Sequence, residues 1–249
     1  MERGSFGLTH YLSLVFVVII NVALYFILKA LKEPYRRSVA FLVSLLGIAA
    51  IIYNLIKWDS PLEYLPLELC SFNAMILPIF ILTKSKVLGN TLILWSLGAL
   101  MALVLNQGVS NFDIYGEVFF FYFYPHAIEF GLPIILVLLG YIKLESKYIF
   151  STVGITAIAY TFAHLMNVTV NDYCLANNIV DYAGNIIKVN YMYSISPSGL
   201  PILTTFREWI PYDYWYMYLI LPIIVLYLGI IYFINHLITK NKNQVIYIN

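Results

Sequence analysis

Among the two cysteines and four histidines of this sequence are a thiol, Cys70, and an imidazole, His126, of types that can do covalent chemistry. A thiol attacks acyl carbonyls as its thiolate, so it needs a neighbouring base or cation to lower a pKa of about 8.5. Both residues lie in runs that are otherwise apolar, where burying an unpaired polar group costs roughly 2–7 kcal/mol and an ionised one more. Cys70 sits in Leu65-Pro66-Leu67-Glu68-Leu69-Cys70-Ser71-Phe72-Asn73, a stretch that brings a carboxylate, a thiol, a hydroxyl and an amide into the chain together. On a helix Asn73, three residues on, shares the face of Cys70. His126 and Glu129 repeat that spacing just after Pro125, Asn106 and Gln107 close another apolar run, and Tyr160, His164, Asn167 and Asn171 form one stripe at i, i+4, i+7 and i+11.

Each of these residues also has a plainer reading. Asn73, Asn106, Asn167 and Tyr160 suit interhelical hydrogen bonding, and Glu68 and Glu129 suit an interfacial position with the carboxylate reaching water. His10 and His236 fall near the ends of apolar runs. Cys70 and Cys174 are the only cysteines, and a bridge between them would remove the nucleophile.

The elements that must position these groups are membrane spans. Of 249 residues, 61% are hydrophobic and 11% charged, which excludes an ordinary soluble domain. Lys and Arg total 14 against 13 Asp and Glu, so no basic field invites nucleic acid. A spanning helix needs roughly 20 mostly apolar residues, and seven segments approach that: 8–31, 39–56, 67–82, 87–105, 118–141, 148–170 and 214–238. The expected architecture is an all-α, seven-transmembrane-helix bundle forming one polytopic domain over 1–249.

Charge gives the orientation. Lys29, Lys32, Arg36, Arg37, Lys84, Lys86, Lys143, Lys147, Lys240 and Lys242 fall in alternate connections, whereas the second carries Asp59 and Glu63 against Lys57, and the fourth carries Asp113 and Glu117 without a cation. The positive-inside rule then sets the N-terminus outside and the C-terminus in the cytoplasm. The connection 171–213 is the long one, rich in turn and aromatic residues, and is expected to fold over a pocket. On this topology the polar residues converge near the outer leaflet, which is where polar groups inside a membrane mark a site.

The residues resemble a known family. Leu65-Pro66-Leu67-Glu68-Leu69-Cys70 is similar to the Leu-Pro-Leu-His-Leu-Cys signature of YwaF-like bacterial integral membrane proteins, which are related to the animal transmembrane protein 164 acyltransferases. His126 corresponds to the family's histidine in span five, Asn190-Tyr191-Met192 to its Asn-Tyr-Met turn, and Trp209-Ile210-Pro211-Tyr212 approximates its Trp-Pro-Tyr element. Glu68 and Ile210 depart from the pattern. The resemblance implies a seven-helix fold in which Cys70 and His126 are the catalytic pair of a phospholipid acyltransferase in the bacterial plasma membrane.

In that reading Cys70 takes an acyl group from an outer-leaflet lipid as a thioester, and His126 deprotonates the acceptor hydroxyl or amine. Glu129 or Glu68 would orient the imidazole, and Asn73 or Asn167 would bind the oxyanion. Asn106, Tyr160, His164, Asn190 and Tyr191 complete the candidate substrate-binding or orienting set, with no cofactor or metal required. Two other classes stay open: a transporter or lipid-binding protein without catalysis, and a seven-helix zinc hydrolase with His126 and His164 as ligands, for which Cys70 or a carboxylate would have to complete the shell.

Overall fold

A computed structural model describes residues 8–58, 60–104 and 116–246, side chains being described for fewer near the ends. The described residues form eight helices: α1 (Leu8–Ala30), α2 (Glu33–Lys57), α3 (Leu69–Thr83), α4 (Lys86–Val104), α5 (Glu117–Leu138), α6 (Ile149–Ala176), α7 (Pro201–Trp209) and α8 (Leu221–Ile246). Six stretches are long and apolar enough to cross a membrane, and they correspond to α1, α2, α4, α5, α6 and α8. The protein is therefore an all-α, multi-pass membrane protein. At about 1.5 Å per residue, α1 is roughly 35 Å long, enough for a hydrocarbon core of about 30 Å.

Three elements differ from the sequence expectation. The third segment is helical only over Leu69–Thr83, because Leu65 to Glu68 make a tight turn, Leu67 N–H to Leu65 O at 2.7 Å, after a 3-10 turn at Pro61–Tyr64, so at roughly 22 Å it falls short of a full span. The long connection contains α7, started by Pro201 at its first turn, and α6 itself runs to Ala176. The last helix starts at Leu221 after a 3-10 stretch, Trp215–Ile220.

The two ends of the bundle have different chemistry. At one end Arg36 caps α1 through the carbonyls of Leu28 (2.7 Å) and Leu31 (2.7 Å), and Arg37 caps α3 through Ile81 (3.0 Å) and Leu82 (2.5 Å). These arginines supply donors to carbonyls that a helix C-terminus leaves unpaired. Lys84 pairs with Glu33, Lys86 and Lys147 share Glu145, and Asn235 of α8 donates to Leu144 O, so this basic end gathers the α1–α2, α3–α4 and α5–α6 turns with α8. The opposite end carries the Lys57–Glu117 pair and the long connection, tied to the start of α3 by Tyr191 donating to Leu62 O.

Between the ends, Leu28, Leu77, Phe80, Leu92, Ile128 and Leu132 form the main core where α1, α3, α4 and α5 meet. Trp95 of α4 donates to Thr156 of α6 at 2.9 Å and packs with Leu228 and Tyr232 of α8, which joins the outer helices to that core.

Candidate functional site

The site is built on the contact of α3 with α5. Pro133 has no N–H for the carbonyl of Glu129 one turn earlier, so α5 presents a free carbonyl inside the bundle. Asn73 fills it, its Nδ2 donating to Glu129 O at 2.9 Å, and that bond fixes the register of α3 on α5. Asn73 is wholly buried and Glu129 nearly so. The Glu129 carboxyl lies beside Gly47 of α2, where an added Cβ would meet Glu129 Oε1 at 2.8 Å and Ala74 Cβ at 2.6 Å. Close approach of α2 thus requires a glycine here.

Above this floor, Tyr122, His126 and Glu129 follow one another on one face of α5 at i, i+4 and i+7. Cys70, half-buried in the first turn of α3, has Glu129 and Glu68 within electrostatic range, and Tyr122 has Cys70, Glu129 and Tyr193 within range. The His126 ring lies 4.5 Å from that of Tyr122, and its Nδ1 is 2.6 Å from Tyr122 O. A carbonyl only accepts, so Nδ1 carries the proton and Nε2 holds the lone pair. The backbone thereby holds the imidazole with Nε2 as its basic nitrogen. Neither carboxylate orients it: Glu68 Oε2 accepts the Met192 N–H at 3.1 Å instead.

Two polar atoms of the floor, Asn73 Oδ1 and Glu129 Oε2, are buried without a hydrogen-bond partner among the described residues. Both are acceptors. Asn73 Nδ2 retains one N–H beyond the bond to Glu129, so of the two amides expected at an oxyanion, Asn73 keeps a free donor. Asn167 does not, because its Nδ2 donates to both Tyr191 O and Ser194 Oγ at 2.8 Å.

The α6 stripe bonds to the long connection, in line with the plainer reading of Tyr160 and Asn167. Tyr160 donates to Tyr214 O (2.7 Å), His164 Nδ1 bonds Ser194 Oγ (3.0 Å), Asn167 Oδ1 also accepts the Tyr191 N–H (2.8 Å), and Asn171 exchanges two bonds with the backbone of Val189. These side chains fasten the long connection to α6. Asn190 folds that connection on itself, accepting from Ile195 N and Ser196 N and donating to Ser196 O and Ser198 Oγ. The result is a roof whose segment Met192–Tyr193 holds two consecutive non-glycine residues in the left-handed region, at φ 52° and 56°. Such a conformation costs of order 1–3 kcal/mol per residue and persists only where surroundings enforce it.

Asn106 and Gln107 lie outside the described residues. Cys70 and Cys174 are both free, Cys174 being packed with Leu67, Ala163 and Ile187. Among the described residues no three His, Cys, Asp or Glu side chains group as a metal centre would require, and His164 faces Ser194 and Tyr214. Sequence reasoning missed Tyr122 and Gly47. Tyr122 was within reach, four residues before His126 on the same stripe, whereas nothing local to Gly47 announces a distant carboxyl.

No curated protein and no solved structure matches the chain. One family model does, described as the TMEM164 family, and it aligns with residues 5–234, a range that takes in the α3–α5 seam, the roof and most of α8. The chain belongs to the TMEM164 family.

Proposed function

We propose that the protein is a membrane-embedded lipid acyltransferase, or acyl hydrolase, in which Cys70 carries the acyl group and His126 is the base. The observation that carries this reading is the His126 tautomer: with Nδ1 tied to Tyr122 O, Nε2 is the basic nitrogen, on the α5 face that also presents Glu129 to α3. Cys70 Sγ would add to the ester carbonyl of a phospholipid, the C–O bond to the lysolipid would break, and a thioester would form. His126 takes the thiol proton and delivers it to the leaving oxygen. An acceptor hydroxyl, amine or water then attacks the thioester, the C–S bond breaks, and the acceptor proton returns through His126 to the sulfur. The second N–H of Asn73 is the side-chain donor best placed for the oxyanion.

The same reading takes α3 as a seventh crossing. Its start lies with the long connection and its end with Glu33, which agrees with the alternation of basic and acidic turns. The N-terminus would then be outside and the C-terminus cytoplasmic. The YwaF-like, bacterial plasma-membrane affiliation rests on the Leu65–Cys70 and Asn190–Met192 motifs.

Purified protein in liposomes containing a phospholipid with a labelled acyl chain tests this. The expected result is a hydroxylamine-sensitive acyl adduct on Cys70, absent from Cys70→Ala, together with loss of transfer in Cys70→Ala and His126→Ala variants that still fold. A Cys70→Ala protein with full transfer activity would sink the thioester mechanism. Transport that survives loss of both residues would favour the non-catalytic reading.

A further inference from the structure

The basic end of the bundle holds a cavity of about 120 Å³ between the end of α3, the start of α4 and the α5–α6 turn. That is well above the roughly 10–15 Å³ one water needs, so a group of several heavy atoms fits. Lys84, Lys86 and Lys143 line it, with Tyr141 as a wall and Phe80 and Ile142 as apolar floor. The lysines are incompletely neutralised. Lys84 Nζ lies 3.4 Å from Glu33 and 5.6 Å from the Tyr141 ring centroid. Lys86 is 3.5 Å from Glu145, whose other oxygen is held by Lys147 at 2.5 Å. Lys143 has no carboxylate partner among the described residues. Arg36 and Arg37, at the same end, bond backbone carbonyls, and Arg36 shares the Glu33 carboxylate electrostatically with Lys84. The first turn of α4 begins at Lys86, so the positive end of its dipole adds to the field.

We propose that this cavity binds a phosphate group, either on the headgroup of an anionic phospholipid at this face of the membrane or as free phosphate. A lysine-lined hollow with an apolar floor between helices fits a headgroup entering from the lipid, and the surplus of cations over Glu33 and Glu145 supplies the attraction. The site is at the opposite end from Cys70 and independent of the acyl-transfer reading.

Thermal unfolding of the full chain in uncharged detergent tests it, with phosphatidylglycerol, phosphatidylcholine and inorganic phosphate as probes at matched ionic strength. A saturable rise in melting temperature with phosphatidylglycerol, weaker by about tenfold in apparent affinity for Lys143→Gln, supports the proposal and names a lipid source. The same Lys143-dependent rise with inorganic phosphate supports it and names free phosphate. Lys32→Gln, which removes a charge from the same end but not from the cavity, is expected to respond like the parent. Equal responses from Lys143→Gln and Lys32→Gln overturn the proposal, since a diffuse field then suffices, and so does the absence of response to either phosphatidylglycerol or phosphate. Lys143→Gln keeps the backbone carbonyl that Asn90 bonds and removes an ammonium with no carboxylate partner among the described residues, so the fold is expected to stay intact.

Discussion

Two seams of this bundle carry buried asparagines, and they differ in how completely those amides are paired. At the α6 seam Asn167 uses both donors and its acceptor on the connection above it, and Asn171 is paired on both sides. At the α3–α5 seam Asn73 makes one bond to backbone, while its Oδ1 and Glu129 Oε2 have no hydrogen-bond partner among the described residues. A saturated amide holds structure. One left with open valences in a buried seam is suited to receive a ligand, because each unpaired polar atom keeps a desolvation cost that an incoming polar group would relieve. The polar stripe of α6 thus fastens the connection, and the shorter pairings on α3 and α5 are the ones the proposed acyl transfer would use.

The comparison can be broken at several points. The largest expected effect is chemical: Cys70→Ala should abolish labelled-acyl transfer, and His126→Ala should lower it by about 10²–10⁴-fold, with melting temperature nearly unchanged for both. Next, Asn167→Ala should destabilise by about 3 kcal/mol, since three buried hydrogen bonds lose a partner. Thermal unfolding in detergent reads this, and protease access to the 190–194 segment should rise in parallel. Asn73→Ala should cost less, about 1 kcal/mol, because freeing Glu129 O is partly offset by removing an acceptor that was already unpaired. If Asn73→Ala proved as costly as Asn167→Ala, the contrast between the seams would fail.

The smallest effect concerns pH at the basic end. The Lys147 ammonium beside Glu145, with Lys86 adding to it, holds the Glu145 carboxyl below its ordinary value of 4.5. A carboxyl depressed on folding contributes stability above that ordinary value and loses it as pH falls through the lower, folded one. Glu145→Gln should therefore leave melting at neutral pH nearly unaltered and flatten only its acid limb below 4.5. The effect is small because the pair is exposed to solvent.

Much of this was legible in the sequence where the signal is local. Six long apolar runs became helices, and the alternation of cations became the basic end. Cys70, Asn73, His126 and Glu129 could be placed on helix faces by spacing alone. What spacing cannot give is the partner. Glu68 reads as a carboxylate entering the membrane, yet its role is to accept the N–H of Met192, 124 residues away. The α6 stripe has the periodicity of a binding face, but periodicity does not say whether a ligand or the protein's own connection covers it. Helix α7 was hidden because nine residues with Leu203 and Phe206 inward and Trp209 outward give too short an apolar pattern to separate from a loop.

The arginine caps imply an order of assembly. Helix α3 is the shortest helix of the apolar set and begins with polar groups, so on its own it is a poor candidate for entry into lipid. Its exposed final carbonyls are held by Arg37, and its last turn is drawn toward Glu33 through Lys84. Those partners lie at the start of α2 and are synthesised first. The end of α3 therefore meets its capping partners in a segment that precedes it in the chain.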